Sequence, residues 1–245
     1  MCRLIPLALL FVVAQAAVAA EADDFVKDVL RAVAKDTATL KKQNVSIIKA
    51  SGTMIVNEEK IPTIRTIQAI WPSQTLIYFE MGKAPEKKSI TVCVVNDRGW
   101  QKPSGAPAAL DLTLEQMNDC RQSTYAYWMM TLLPLLESGN KIAFTPGIKV
   151  SGEAMTSITV ARRGWPDVTM SFDPNTFLLR KLSYKGRDNG VIKLHEMFLG
   201  DHKEADGIKL PQTVQFLMDG KEMFSWTKFD YVFPDKLDRA LFDRP

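Results

Sequence analysis

Ser123–Leu136 reads STYAYWMMTLLPLL, and the fold follows from what must surround it. Upstream, Thr113-Leu114-Glu115-Gln116 fits a capping box, in which the Thr and Gln side chains satisfy orphan N–H groups at a helix start. The spacing predicts a helix from there to about Ser138, where Ser138-Gly139-Asn140 supplies a stop. Tyr125, Trp128, Met129, Leu132 and Leu136 recur on one face, while Tyr127, Met130 and Leu133 fill much of the other. A helix apolar nearly all round is either buried on both sides or spans a membrane. This stretch is shorter than the ~20 residues a bilayer needs, and Pro134 would kink it. It is therefore a buried helix, and the rest of the chain has to cover it.

Working outward, nearly everything else reads as strand. Val45–Val56, Ile61–Trp71, Thr75–Met81 and Lys88–Val95 precede the helix and are rich in Ile, Val, Thr and aromatics. Ile142–Phe144, Ile148–Arg163, Val168–Phe172, Leu178–Lys185, Val191–Leu199, Ile208–Met218 and Lys221–Phe233 follow it. Asn189-Gly190, Asp206-Gly207 and Asp219-Gly220 each pair two residues that tolerate φ > 0, as a type I′ hairpin requires. Three such pairs in succession predict four strands in sequential antiparallel order. About ten or eleven antiparallel strands cannot stay flat, because neighbouring strands twist, so the sheet curls or closes. The predicted fold is mainly β with two helices. It is an open half-barrel with an N-terminal helix and the mid-chain apolar helix in or over its concave face.

The chain opens MCRLIPLALLFVVAQAAVAA, with Arg3 ahead of an apolar run and Ala17-Val18-Ala19 as a small-residue cleavage site. Residues 1–20 therefore read as a signal peptide, and 21–245 as one exported, periplasmic, soluble domain. Glu21–Leu40 reads as an amphipathic helix, with Phe25, Val29, Ala32, Val33 and Leu40 on one side. Without Arg3, 30 basic residues face 28 acidic ones, a balance that argues against nucleic acid as a partner. Export tolerates disulfides. Cys93, in a strand, and Cys120, in the first turns of the helix, would tie helix to sheet if bonded; two buried thiols are the alternative.

Catalytic constellations are scarce. There is no G-x-S-x-G elbow, no phosphate-cradling glycine loop and no H-E-x-x-H. His195 alternates with Lys193 on what reads as a polar strand face, so an exposed structural role is expected for it and for His202, with no metal and no cofactor. Glu196 shares a face with Ile192, Leu194 and Phe198. The Asn189-Gly190 turn puts Ser183 opposite it, whereas a wider loop puts Arg180 there. A charged partner at that point would make either a head-group site inside a cavity or a surface pair near the sheet edge.

Three stretches resemble one family. Ser171–Leu179 (SFDPNTFLL) resembles the recurrent F-D-x-x-T-G-L-L hairpin of the outer-membrane lipoprotein carrier and receptor superfamily, LolA/LolB-like. His202–Pro211 (HKEADGIKLP) resembles its Y-x-x-x-D-G-x-x-x-P turn, and Leu237–Pro245 (LDRALFDRP) is similar to its terminal L-x-x-x-x-F-x-x-P. The mature chain looks most like exported bacterial proteins of this length that are grouped with the superfamily by fold. The resemblance implies a half-barrel whose apolar concave face, lidded by helices, takes up acyl chains. Phe177 stands where the hairpin usually has Gly, so the turn must differ or hold a bulky residue at positive φ. Arg65 is the candidate for the carriers' lid-locking arginine.

The expected function is non-catalytic binding of an apolar ligand, the acyl chains of a lipid or lipoprotein, by a monomer with transient membrane or envelope-protein partners. Tyr125, Trp128, Met129, Leu132, Leu133 and Leu136 are the candidate residues, as cavity wall or as plug, with Arg65 and Glu196 as candidate polar cavity residues. Replacing Trp128 and Leu132 with Ala is expected to alter lipid uptake more than folding. The rival expectation is a structural or interaction module whose barrel is permanently filled by its own helix.

Overall fold

β-branched and aromatic residues alternating with polar ones favour a pleated, extended backbone. In the computed structural model, which describes residues 21–188 and 190–245, that preference builds one antiparallel sheet of 13 strands. Residues 1–20, read above as a signal peptide, and Asn189 lie outside the described residues. Before the mid-chain helix come β1 (Val45–Val56), β2 (Glu59–Ile70), β3 (Gln74–Met81), β4 (Lys88–Val95), β5 (Arg98–Pro103) and β6 (Leu110–Asp111). After it come β7 (Lys141–Phe144), β8 (Lys149–Val150), β9 (Glu153–Ala154), β10 (Thr156–Ala161) and β11 (Val168–Phe172). The last six are β12 (Leu179–Asp188), β13 (Val191–Gly200), β14 (Lys203–Ala205), β15 (Ile208–Leu210), β16 (Thr213–Met218) and β17 (Lys221–Val232).

The sheet order is β6-β5-β4-β3-β2-β1-β17-β16-β13-β12-β11-β10-β7, so two meanders are joined where β1 pairs with β17. At that seam a bulge falls between Ser51 and Gly52, and a Cβ on Gly52 would lie 1.9 Å from the Ser225 carbonyl oxygen. Only glycine allows the strands to approach so closely there. The two edges, β6 and β7, do not pair, so the twisted sheet stays an open half-barrel. Helix α3 (Leu114–Met130) is the chain segment that leads from one edge strand to the other, and it therefore has to cross the mouth of the trough.

The strands outnumber the expected ten or eleven because β5 and β6 add two to the sheet and two expected strands are broken. Ile148–Arg163 is broken at Ser151-Gly152, both at positive φ, into the separate β8–β9 hairpin and then β10. Ile208–Met218 is broken at Pro211, which has no N–H to donate to a ladder. The Asp206-Gly207 turn thus closes a small β14–β15 hairpin outside the main sheet, and the meander runs β12, β13, β16, β17 around that excursion. Phe177 does sit at φ 56°, in a turn where the Asp173 carboxylate accepts from the N–H groups of Asn175 and Thr176 at 2.9 Å each.

The N-terminal helix is shorter than expected. α1 covers residues 21–33 and buries Ala22, Val26, Val29 and Val33. The chain then bridges through Ala34 to Ile208 of β15, and restarts as α2 (Thr37–Lys41), capped by the Asp36 carboxylate at 2.7 Å from the Thr39 N–H. Phe25 packs 5.6 Å from both Phe144 and Phe172, which fixes α1 over the β7–β11 end of the trough. Helix α3 keeps its capping box but ends at Met130, eight residues before the expected stop. Pro134 ends it: Leu132 turns left-handed at φ 61° and Leu133–Leu136 continue as one 3-10 turn.

Cys93 and Cys120 are free thiols. Val92 and Val94 line the same cavity as Cys120, and the pleat turns Cys93, between them, to the opposite face. There Cys93 and Trp100 meet the C-terminal turn, both donating to the Phe242 carbonyl, at 3.4 and 3.3 Å. The sheet itself separates the two cysteines, so the tie between helix and sheet is not a disulfide.

Candidate functional site

Helix α3 carries two unlike faces along its length. Tyr125, Trp128 and Met129 are buried in the main core, and Leu132 and Leu133 follow just beyond the helix end. Tyr125 stacks on Trp165 with ring centroids 4.6 Å apart, and the Arg162 guanidinium lies 5.1 Å above the Trp128 ring. The other face presents Asp119, Cys120, Ser123, Thr124 and Tyr127, at helical spacings of one, three and four. These side chains are small or polar except for Tyr127, and they leave a gap.

The gap is a cavity of about 240 Å³ between α3 and the sheet. Its walls alternate along the strands as a pleat requires: Ile77 and Phe79 from β3, Val92 and Val94 from β4, Met197 from β13. Phe216 from β16 and Phe224 from β17 close it, their rings 5.8 Å apart. Burial pushes the Cys120 thiol up to about 11, so it lines the cavity as a neutral, weakly polar group. Burial likewise holds the Tyr184 phenol, also in the wall, well above its ordinary value. Larger depressions lie elsewhere, two of them of about 480 and 600 Å³. One is a polar groove beside Arg121 and Arg187; the other is rimmed by Lys60, Lys83 and Lys88.

A buried cation stands in the wall. Arg65 on β2 is only 3% exposed, and its guanidinium lies between the Tyr127 ring at 4.7 Å and the Trp226 ring at 4.6 Å. Its Nη1 donates to the Tyr127 hydroxyl, while its Nε has no partner. Two ring faces stabilise a desolvated cation by about 2 kcal/mol or more. That offsets part of a burial penalty of several kcal/mol.

Other expected polar positions fall elsewhere. Ser183 is the residue opposite Glu196, as the tight turn predicts, but Glu196 faces away from the cavity. It pairs with Lys181 at 2.7 Å, and Lys181 rests 4.9 Å from the Phe198 ring on the same outer face. The apolar alternation Ile192-Leu194-Phe198 belongs to that outer face, with Ile192 61% exposed, so hydrophobicity pointed the wrong way. His195, expected to be exposed, is buried with its Nδ1 3.1 Å from the Tyr184 hydroxyl and its ring 5.6 Å from Phe216. His202 is half-buried, and burial lowers it to about 4.

Of the positions singled out in the sequence, only Arg65 and Cys120 line the cavity, together with Tyr127 on the less apolar helix face. Phe79, Phe216 and Phe224 were missed. Their signal was an aromatic on the inward side of three different strands, and it needed the register to be read.

No family description and no curated protein matches the sequence. Among solved structures, a LolA superfamily protein from Nitrosomonas europaea superposes with a TM-score of 0.53 at 10% identity, over 85% of this chain and 96% of that one. A putative outer membrane lipoprotein-sorting protein domain from Vibrio parahaemolyticus gives 0.55 at 10% identity, over 92% and 97%. A DUF1329 family protein from Desulfovibrio piger gives 0.54 at 9% identity, over 92% and 97%. The chain has the LolA-like fold that its turn motifs resemble.

Proposed function

We propose that this protein binds and carries an apolar chain, of a lipid or lipoprotein, in the cavity between α3 and the sheet, without chemistry on it. The observation that carries this reading is the cavity wall, where Ile77, Phe79, Val92, Val94, Met197, Phe216 and Phe224 surround empty space under a helix that crosses the trough. A space walled mostly by apolar side chains favours hydrocarbon over water. No helix of the described residues is long and apolar enough to cross a membrane. An exported carrier that meets membrane or envelope partners transiently fits the LolA-like fold and the expected leader. Cys120 is no nucleophile at neutral pH, because burial holds its thiol at about 11.

The cavity also limits the cargo. At ~30 Å³ for each water it would hold, 240 Å³ accommodates roughly eight water-sized groups, and a methylene is of similar bulk. One medium-length acyl chain fits without rearrangement. Each methylene buried contributes about 0.8 kcal/mol, roughly fourfold in affinity. Affinity therefore climbs with chain length until the cavity is full, then levels.

The test is mass spectrometry of an organic extract from protein purified without detergent, followed by titration of saturated chains of six to sixteen carbons. A co-purified lipid, or a rise and plateau across the series, supports the reading. A clean extract together with no binding at any length sinks it and leaves α3 as plain core.

A further inference from the structure

Arg65 is the buried cation of the cavity wall, and the carriage of a neutral hydrocarbon does not use it. Its guanidinium carries five N–H donors, of which one meets the Tyr127 hydroxyl and the Nε–H meets nothing. Among the described residues no carboxylate pairs with it. The neighbours opposite it in the sheet are Ala50 and Phe79, and the rings above and below it are Tyr127 and Trp226. A buried cation without an anion is costly unless a partner arrives to neutralise it.

We propose, resting on the apolar-chain reading, that the ligand is a single-chain anionic amphiphile whose carboxylate or phosphate lies against Arg65 at the inner end of the cavity. The acidic group supplies the missing acceptors for the guanidinium, in the planar two-oxygen geometry that arginine favours. The hydrocarbon then runs along α3 past Thr124, Ser123 and Cys120, over a floor of adjoining rings from Phe79, Phe224 and Phe216. The single carboxylate of the wall, Asp119, sits two helical turns from Tyr127. Eight residues at ~1.5 Å each place it about 12 Å along the helix. The guanidinium sets the orientation: anion at Arg65, tail toward the start of the helix. The size of the cavity restricts the class further, to one chain of about eight to ten carbons without rearrangement.

The decisive experiment compares four ligands of equal chain length on the intact protein by calorimetry: decanoate, decyl phosphate, decanol and decyltrimethylammonium. At least one anion is expected to bind tenfold or more tighter than decanol, with the cation weakest. Whichever of decanoate and decyl phosphate leads names the source of the anion. Arg65→Met keeps the bulk of the side chain and removes its charge. It is expected to erase the preference, leaving decanol at or above wild-type affinity while the anions fall by tenfold or more. Because the wild-type series decides the question alone, a poorly folding variant does not block the test. Decanol binding as tightly as both anions in the wild type overturns this inference but leaves the apolar-chain reading standing. Binding of none of the four overturns both.

Discussion

On one side of α3 the trough is solid, and on the other it is hollow, although strands of one sheet wall both. Toward β7, β10 and β11, Phe25 from α1 lies 5.6 Å from Phe144 and Phe172, and Ile158, Val160, Met170 and Phe172 are fully buried beneath it. Toward β3, β4, β16 and β17, Phe79, Phe216 and Phe224 are only partly buried, and the space between them and the helix is unfilled. The difference comes from the helices. α1 covers only the first side, and α3 gives that side Tyr125, Trp128 and Met129 while giving the other Cys120, Ser123 and Thr124. Small side chains under a fixed helix make a cavity; large ones make a core. Stability and binding are thus assigned to opposite faces of one element.

The sharpest way to break that division is to hollow the solid side. Phe172→Ala or Trp128→Ala removes a large ring from a site with no room to relax, at a cost of about 3–5 kcal/mol. A fall in melting temperature of many degrees is expected, with ligand affinity unchanged in whatever fraction still folds. This moves the expectation for Trp128 and Leu132, formed on the all-round apolar helix, from uptake to folding, since both lie in the packed core. Phe224→Ala, on the hollow side, trims a partly buried ring beside a space that already exists and costs less than that. Its expected signature is a shift of the preferred acyl length upward by several carbons. Equal stability losses for Phe172→Ala and Phe224→Ala, with no change in chain preference, would show that the two sides do not differ in kind.

Acidification probes the boundary between the sides, where His195 stands between Tyr184 and Phe216. Burial holds His195 below its ordinary value despite the pull of Asp188 and Asp219, and holds His202 at about 4. Both folded values lie below the ~6.5 of an unfolded histidine. As pH falls past about 6.5 the unfolded chain takes up protons that the folded chain refuses, and stability is lost from there toward pH 4. Urea midpoints are expected to be level above about pH 7.5 and to fall between pH 6.5 and 5. The chain has 2 histidines in all, so His195→Gln together with His202→Gln should flatten that window.

How much of this was legible beforehand depended on range. The capping box at Thr113, the Asp-Gly turns and the strained Phe177 are set by residues within a few positions of each other, and each stands where the sequence puts it. The open sheet and the crossing helix followed from strand number and a greasy segment, which are cumulative properties. Faces were harder. Glu196 and His195 exchange sides on the reading of a single strand, because Ile192 and Leu194 are apolar yet exposed on the outer face. The cavity was out of reach, since its walls come from eight elements and only the pairing register brings Phe79, Phe216 and Phe224 together.

The smallest effect lies farthest from the trough. Lys181 and Glu196 are paired at 2.7 Å on the outer face, with side chains 16% and 14% exposed, and neither touches the cavity. Partial shielding makes the pair stronger than a fully exposed one, whose contribution is about 0–1 kcal/mol. Glu196→Gln keeps the shape and leaves Lys181 on the Phe198 ring, so a loss of about 1 kcal/mol in a urea titration is expected, with an unaltered ligand series. Arg65 is the counterpart on the inner face: a cation with aromatic neighbours but no carboxylate. The outer cation needs no ligand because Glu196, two residues before Phe198, reaches it across the ladder; the inner one has two rings and the Tyr127 hydroxyl around it. If Glu196→Gln changed the anion preference of the cavity, charge on the two faces would be coupled through the sheet, and the assignment of the anion to Arg65 alone would have to be given up.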